Sequence, residues 1–379
     1  MTAVPFRLIG LLVLGHVAFA GDRFTLTLQA VSLQASPLAI GILMSLLMVV
    51  PMVLSIHMGR WADRLGFARP AALGLGLLAA AGLLAALVPS MPALYAASVF
   101  IGSGYTLAHV AINNAVGQLA PARQLTRSFS VLALGFSVSG MAGPLIAGVV
   151  IDHFGHAAAF VGLLGFALVS LALLLPLARG GPDPVPVRET AADPPSVIGL
   201  LRHGPLRAVL VVSGLLSMGW DMFMFLAPLQ GVRAGLSATS TGLLMGAFGT
   251  GTFAIRLLLP LLNARMSEWR TLSWALFVTA LCYVIFPLAA TLPLMLTAAF
   301  AMGLSLGCGQ PMAMSLLHLT APPSRAGEAV GIRTSIVSAS QTLFPLLFGA
   351  MGSALGVAAV FWAGATVLAS GGAFARRRK

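Results

Sequence analysis

GRWADRLGFARP, residues 59–70, gathers Arg60, Asp63, Arg64 and Arg69 in a chain of which only 8% is charged. On either side the sequence is apolar for about twenty residues, the length a helix needs to cross a bilayer. Charge is expelled from lipid, so a charged knot between two such runs is a short turn held at a membrane face.

The rest of the 379 residues repeats this alternation. The chain is 59% hydrophobic and its mean hydropathy is +0.99. Soluble domains average about 25% charged residues, so this chain has too little charge to coat a water-exposed globule. Twelve apolar runs are predicted to span as helices: 5–29, 37–58, 70–89, 92–118, 128–150, 157–178, 206–228, 238–261, 271–290, 293–317, 329–352 and 354–373. Helices are required because a backbone in lipid must satisfy its own hydrogen bonds. The short alternating strands of a membrane barrel are absent from the pattern. The expected class is therefore all-α: a polytopic membrane protein.

A formal charge of +12 would suggest nucleic acid in a soluble protein, but its placement argues for a membrane. With both termini in the cytoplasm, 18 of the 21 basic residues fall on inside segments, the exceptions being Arg23, Arg233 and Arg256. The expected location is a bacterial inner membrane, with lipid as a partner and no nucleic acid. Arg7 followed by an apolar run and AFA at 18–20 has the look of a cleavable leader. A retained first span is favoured, because that segment has a counterpart later in the chain. Cys282 and Cys308 fall inside spans and read as buried thiols; no metal or cofactor is expected.

The chain resembles itself at one offset. A shift of 201 residues pairs Gly41 with Gly242, Arg64 with Arg265, Arg69 with Arg270, Gly102 with Gly303, Pro121 with Pro322, Pro144 with Pro345 and Gly148 with Gly349. Asp22 meets Asp221 at a slightly different offset, 199. Two copies of a six-span unit in the same orientation follow, which is a transporter architecture. The expected division is 1–177, a first six-helix bundle; 178–205, a Pro-rich cytoplasmic linker; 206–373, a second bundle; and 374–379, a basic tail. SVIGLLR, 196–202, is suited to a short helix along the membrane surface.

With these residues in view, GRWADRLGFARP resembles the loop between the second and third spans of the major facilitator superfamily. Gly59, Ala62, Asp63, Arg64 and Gly66 match its pattern, while Trp61, Phe67 and Ala68 depart from it. GMAGPLIAG, 140–148, is similar to an element in the fifth span of the family's antiporter branch, through Gly140, Gly143, Pro144 and Gly148. Ordinary small-residue packing explains that stretch equally well. The resemblance implies two pseudo-symmetric bundles around a cavity that opens alternately to either side. It also implies that Gly59, Asp63, Arg64 and Gly66 form a latch, with Asp63 near the start of the eleventh span. An Arg common in the fourth span of the family's proton-coupled exporters is missing here.

Ionisable groups inside spans need a reason. Asp22, Thr25 and Gln29 share one helical face, and His16, Arg23 and Thr27 share the next. Asp221 lies on a face with Ser213, Ser217, Trp220, Met224 and Pro228. Burial disfavours the charged form of a carboxylate, which makes Asp22 and Asp221 candidates for proton coupling. His109 is a third, with Gln310 at the matching place in the second copy. The residues expected to line a solute cavity are Arg23, Gln29, Tyr105, Asn113, Trp220, Met224, Arg256, Gln310, Ser338 and Gln341. Arg256 has three readings: a carboxylate partner, an anionic solute, or snorkelling to the membrane face. Met222, Phe223 and Phe225 could extend an apolar pocket beside Trp220.

No Walker sequence and no hydrolase or metalloprotease motif is present, so neither ATP nor enzymatic chemistry is implied. The leading expectation is a monomeric secondary transporter, exporting a small, partly hydrophobic solute in exchange for protons. An importer or uncoupled facilitator of the same build is the alternative, and a non-transporting receptor a more remote one.

Overall fold

A computed structural model describes residues 4–121, 124–179, 204–263, 266–289, 291–321 and 326–378. Among them every regular element is helical, as lipid demands of a backbone with no water to bond. In chain order they are α1 (Val4–Ser32), α2 (Pro37–Leu65), α3 (Ala68–Leu87), α4 (Met91–Leu119), α5 (Leu125–Arg179), α6 (Gly204–Arg233), α7 (Ala238–Asn263), α8 (Glu268–Ile285), α9 (Leu292–Gly307), α10 (Gly309–Thr320), α11 (Ala326–Leu355) and α12 (Val357–Arg376).

Eleven described segments are long and apolar enough to cross a membrane. The difference from the twelve expected has one cause. The continuous α5 is two crossings folded at Gly155, where φ is +83° and ψ 173°. Only glycine adopts that region without strain, and it reverses the chain where sequence patterning places the turn between spans five and six. The tenth crossing is broken instead, into α9 and α10 at Cys308. The chain is thus an integral, all-helical membrane protein. The stretch 180–203, including SVIGLLR, the loop with Arg265, and the final Lys379 lie outside the described residues.

Pairs of helices within each half approach at glycines. Gly102 of α4 abuts the Leu47 carbonyl of α2, leaving no room for a Cβ, and Gly303 of α9 abuts the Phe248 carbonyl of α7 in the same way. These two contacts are copies, displaced by the 201-residue offset at both partners. Elsewhere hydroxyls tie neighbouring helices: Ser170 donates to the Leu11 carbonyl (2.8 Å) and Ser273 to the Gly372 carbonyl (2.8 Å).

The halves meet through α2 with α11 and through the first arm of α5 with α7. The tightest of these contacts lie at the end away from the basic loops. There Gly41 abuts the Pro345 carbonyl and Gly148 the Ala238 carbonyl, while a Cβ on Gly242 would sit 2.7 Å from the Pro144 carbonyl oxygen. The Leu38 amide donates to Ser353 Oγ (3.0 Å). Asp152 accepts from the amides of Ala238 (3.0 Å) and Thr239 (2.8 Å). That end of the molecule is closed.

Candidate functional site

Between the halves lies a cavity of about 410 Å³, within the size range of small-molecule sites. Its first wall is a stripe of α1: His16, Phe19, Ala20, Arg23 and Thr27, spaced three and four residues apart as one helical face. The facing stripe on α6 runs from Ser213 and Ser217 through Trp220, Asp221 and Met224 to Pro228. Rings close both sides. Phe19 stacks on Tyr105 with centroids 4.3 Å apart, and Phe136 sits 4.9 Å from His16. Opposite, Trp220 meets Phe248 edge-on at 4.7 Å.

Several of the polar groups on the wall are held by hydrogen bonds. Asp221, 1% exposed, accepts from Ser340 Oγ at 2.7 Å. Arg256 reaches across to α5 and donates to the Ala133 carbonyl (2.6 Å) and Ser137 Oγ (2.7 Å). Among the described residues it thus has no carboxylate partner: it is held by a backbone oxygen and a hydroxyl of the other half while lining the cavity. Arg333 donates through Nε to Ser213 Oγ (3.3 Å). Asn113 Nδ2 lies 2.9 Å from His109 Nε2. His16 Nδ1 lies 2.7 Å from Ser139 Oγ. Arg23 Nε is buried with no hydrogen-bond partner.

Ten of the residues singled out in the sequence line this cavity: Arg23, Tyr105, His109 and Gly140; Pro144, Trp220, Asp221 and Met224; and Gln310 and Gln341; Arg256 makes an eleventh. Asp22, Gln29, Asn113 and Ser338 do not. Asp22 points into the first bundle, where both its oxygens lie 4.0 Å from the place a Cβ on Gly82 of α3 would occupy. Gln29 is likewise buried, its Oε1 unpartnered. The cause is rotation. Asp22, Thr25 and Gln29 do share a face of α1, but the face that looks inward is the adjacent one with His16 and Arg23. Asn113 stands behind His109, and the Ser338 carbonyl accepts from Thr342 Oγ1 (3.1 Å).

Of the apolar group beside Trp220, only Met224 faces the cavity; Met222, Phe223 and Phe225 are fully buried in the second bundle. Gly143 is packing: a Cβ there would lie 2.6 Å from the Val17 carbonyl oxygen of α1. Gly148 belongs to the closed end. Gly59 has open space around it. Gly66 ends α2 at φ +73° and makes the turn before α3. Arg64 is exposed; the Asp63 side chain and residues 322–325 lie outside what is described.

His16, Phe136, Thr252 and Arg333 were not singled out as site residues, yet all line the cavity. For two of them the repeat held the signal. At the 201-residue offset His16 corresponds to Ser217 and Phe136 to Val337, all four of which line the cavity, as do both members of the pairs Tyr105 and Leu306, His109 and Gln310, and Gly140 and Gln341. At that offset the counterpart of Asp221 is Ala20, which also faces inward. Pairing Asp221 with Asp22 at 199 selected the wrong face. Among the described residues no group of three or more His, Cys, Asp and Glu side chains is placed to hold a metal ion.

A duplicated helical bundle with a polar chamber at the interface of its halves is a transporter's build, and comparison with known proteins identifies which. The profile of the Major Facilitator Superfamily matches residues 11–293 and again 209–379. The chain belongs to the major facilitator superfamily. It is 23% identical over 259 residues to the uncharacterized MFS-type transporter YuxJ of Bacillus subtilis (strain 168), a match covering 66% of this chain and 65% of that protein. The chain thus spans just under two thirds of the length of the curated relative it matches.

Among solved structures, the nucleoside transporter NupG superposes with a TM-score of 0.83 at 14% identity, covering 99% of this chain and 100% of that one. A peptide transporter POT in complex with sulfate gives 0.78 at 13% identity, over 99% and 94%. A bacterial homologue of the lysosomal transporter Spinster, inward-facing and occupied, gives 0.75 at 15% identity, over 98% and 95%. Identities this low establish the superfamily fold and leave the solute open.

Proposed function

We propose that this superfamily member is a proton-coupled secondary transporter that moves a small solute by alternating access, as a monomer in a bacterial inner membrane with both termini in the cytoplasm. One observation carries the reading: Asp221 is the only carboxylate lining the central cavity among the described residues, and it is held there by the Ser340 hydroxyl. A carboxylate there can take up and release a proton, as can the imidazoles of His16 and His109 on the same wall. Its distance from the surface makes access to water depend on which end is open.

The working cycle follows from the contacts. With the α2–α11 and α5–α7 ends shut, the cavity communicates with the side of the basic loops. Rocking the halves opens the glycine-lined end and closes the other, and Asp221 and the solute change sides together. Efflux by exchange is the direction favoured by the antiporter-like element at 140–148. Packing also accounts for that element, since Gly143 meets α1 and Gly148 meets α7. The sense of coupling therefore rests on the solute's charge. A cation competes with the proton for Asp221, giving exchange; an anion is held better once Asp221 is protonated, giving joint movement.

The test is proton movement in proteoliposomes. Adding a transported solute to vesicles with a trapped pH dye should move protons with the native protein. Asp221→Asn should abolish that signal, at least roughly tenfold, while solute binding persists. Native proton movement in Asp221→Asn would remove Asp221 from the mechanism, and no solute-linked proton movement at all would remove the coupling.

A further inference from the structure

We infer that the solute is an organic anion: one or two carboxylate-like groups on an apolar or aromatic body. The inference rests on the cavity being the transport site and deepens that reading.

The cavity's charge is lopsided. Three guanidinium groups line it, Arg23 from α1, Arg256 from α7 and Arg333 from α11, against the single carboxylate of Asp221. None forms an ion pair with a carboxylate among the described residues. Arg256 spends its bonds on a carbonyl and a hydroxyl, Arg333 on Ser213 Oγ and the Met314 sulfur, and Arg23 Nε on nothing. Other described acids are elsewhere: Asp22 is behind α1, Asp152 is at the closed end, and Glu268 takes a hydrogen bond from Ser315 (3.1 Å).

Unpaired cations inside a membrane are costly, and the arrangement persists where a counter-ion arrives from outside. Guanidinium matches a carboxylate through two parallel donors, so the incoming ion of best fit is an oxyanion. The ring pairs Phe19–Tyr105 and Trp220–Phe248 offer apolar faces for the remainder of the molecule. A cationic solute would meet a net positive chamber.

The sign of proton coupling follows. Asp221 interacts with Arg23 from α1, Tyr283 from α8 and Ser340 from α11, with His16, His109, Arg256 and Arg333 elsewhere on the cavity wall. Neutralising Asp221 removes the one charge that repels the anion. A proton on either histidine would act in the same sense. Proton and anion thus favour each other's binding, and reciprocity makes them travel together. This departs from the exchange that the resemblance at 140–148 implies.

The test uses the full chain in nanodiscs and three probes of one shape, 3-phenylpropionate, its neutral amide and 3-phenylpropylamine, with adipate as a dianion. Calorimetry near pH 6 and near pH 8 reads binding while each probe keeps its charge. The carboxylates should bind roughly tenfold or more tightly than amide or amine. Their affinity should rise at the lower pH in the native protein, and Asp221→Asn should bind near pH 8 as the native protein does near pH 6. Arg23→Gln should weaken carboxylate binding by roughly tenfold with no loss of melting temperature, and Arg23→Lys should recover part of it.

Amine or amide binding equal to that of the carboxylates overturns the proposal, as does unaltered binding by Arg23→Gln or binding of none of the four probes. If Arg23→Gln fails to fold, the probe comparison on the native protein still decides. A chain that binds the amine and exchanges it for protons would lose the anion and keep the transport reading. Carboxylate binding without movement of any solute would do the reverse.

Discussion

Asp152 ties the two halves with one side chain. It sits just before the Gly155 fold of α5, and its two oxygens take the first free amides of α7 in the opposite half. The start of a helix leaves amides without partners and carries partial positive charge, so a carboxylate there is favoured twice over. Loss of such a cap typically costs about 1 kcal/mol, a shift of roughly fivefold between the state closed at this end and the open one. Asp152→Ala should therefore broaden the distance between spin labels at Leu33 and Leu355 toward longer values, and Asp152→Asn, which keeps one acceptor, should do so less. An unchanged distribution would show that glycine packing alone holds the end shut. Nothing in the residue pattern singled Asp152 out, because its partners are backbone amides 86 and 87 residues away. Single-residue reading failed at Asp22 for a related reason. Spacing tells which residues share a face, and packing against α3 decides where that face looks. Arg333 falls within the predicted span 329–352, but which way it faces is decided by the packing of α11, which brings it to the cavity wall.

Helices were the most legible level, since a bilayer sets their length and lipid forbids the alternatives. The twelve predicted crossings recur in order, and the departures are local: a fold at Gly155 that leaves α5 unbroken, and a break at Cys308. The repeated glycines had little weight as letters in a chain with 42 of them. As contacts they have a reason, for Gly102 and Gly303 each press on a carbonyl of the neighbouring helix. A side chain there must part α4 from α2, or α9 from α7. Overpacking of this kind costs about 1–3 kcal/mol or more. Gly102→Val and Gly303→Val should each lower the melting temperature in detergent by several degrees, whereas Gly162→Ala, with open space around it, should leave melting unchanged. Equal melting of all three would mean that these helices adjust without cost.

For the molecule as a whole, duplication and closure are one argument. A shift of 201 residues carries Gly41 onto Gly242 and Pro144 onto Pro345, and those four residues form the two crossings that shut one end, Gly41 against Pro345 and Gly242 against Pro144. Each half thus supplies the same pair of surfaces to the other, and both contacts must part for the end to open. Transport by rocking then has a mechanical requirement that a rigid channel lacks. Leu38 and Ser353 lie on opposite halves at this end, joined by a 3.0 Å hydrogen bond. Ala39 and Tyr95 lie within one half, joined across α2 and α4 by a 3.4 Å bond. Cysteines at each pair, bridged by a short bis-methanethiosulfonate, separate the two cases. Bridging 38 to 353 should cut solute flux into proteoliposomes by at least roughly tenfold and leave binding from the basic-loop side intact, with reductant restoring flux. Bridging 39 to 95 should cost little, because that pair moves as a body. Flux at the native rate through the cross-half bridge would mean that this end never opens, and that the solute takes a path other than the cavity between the halves.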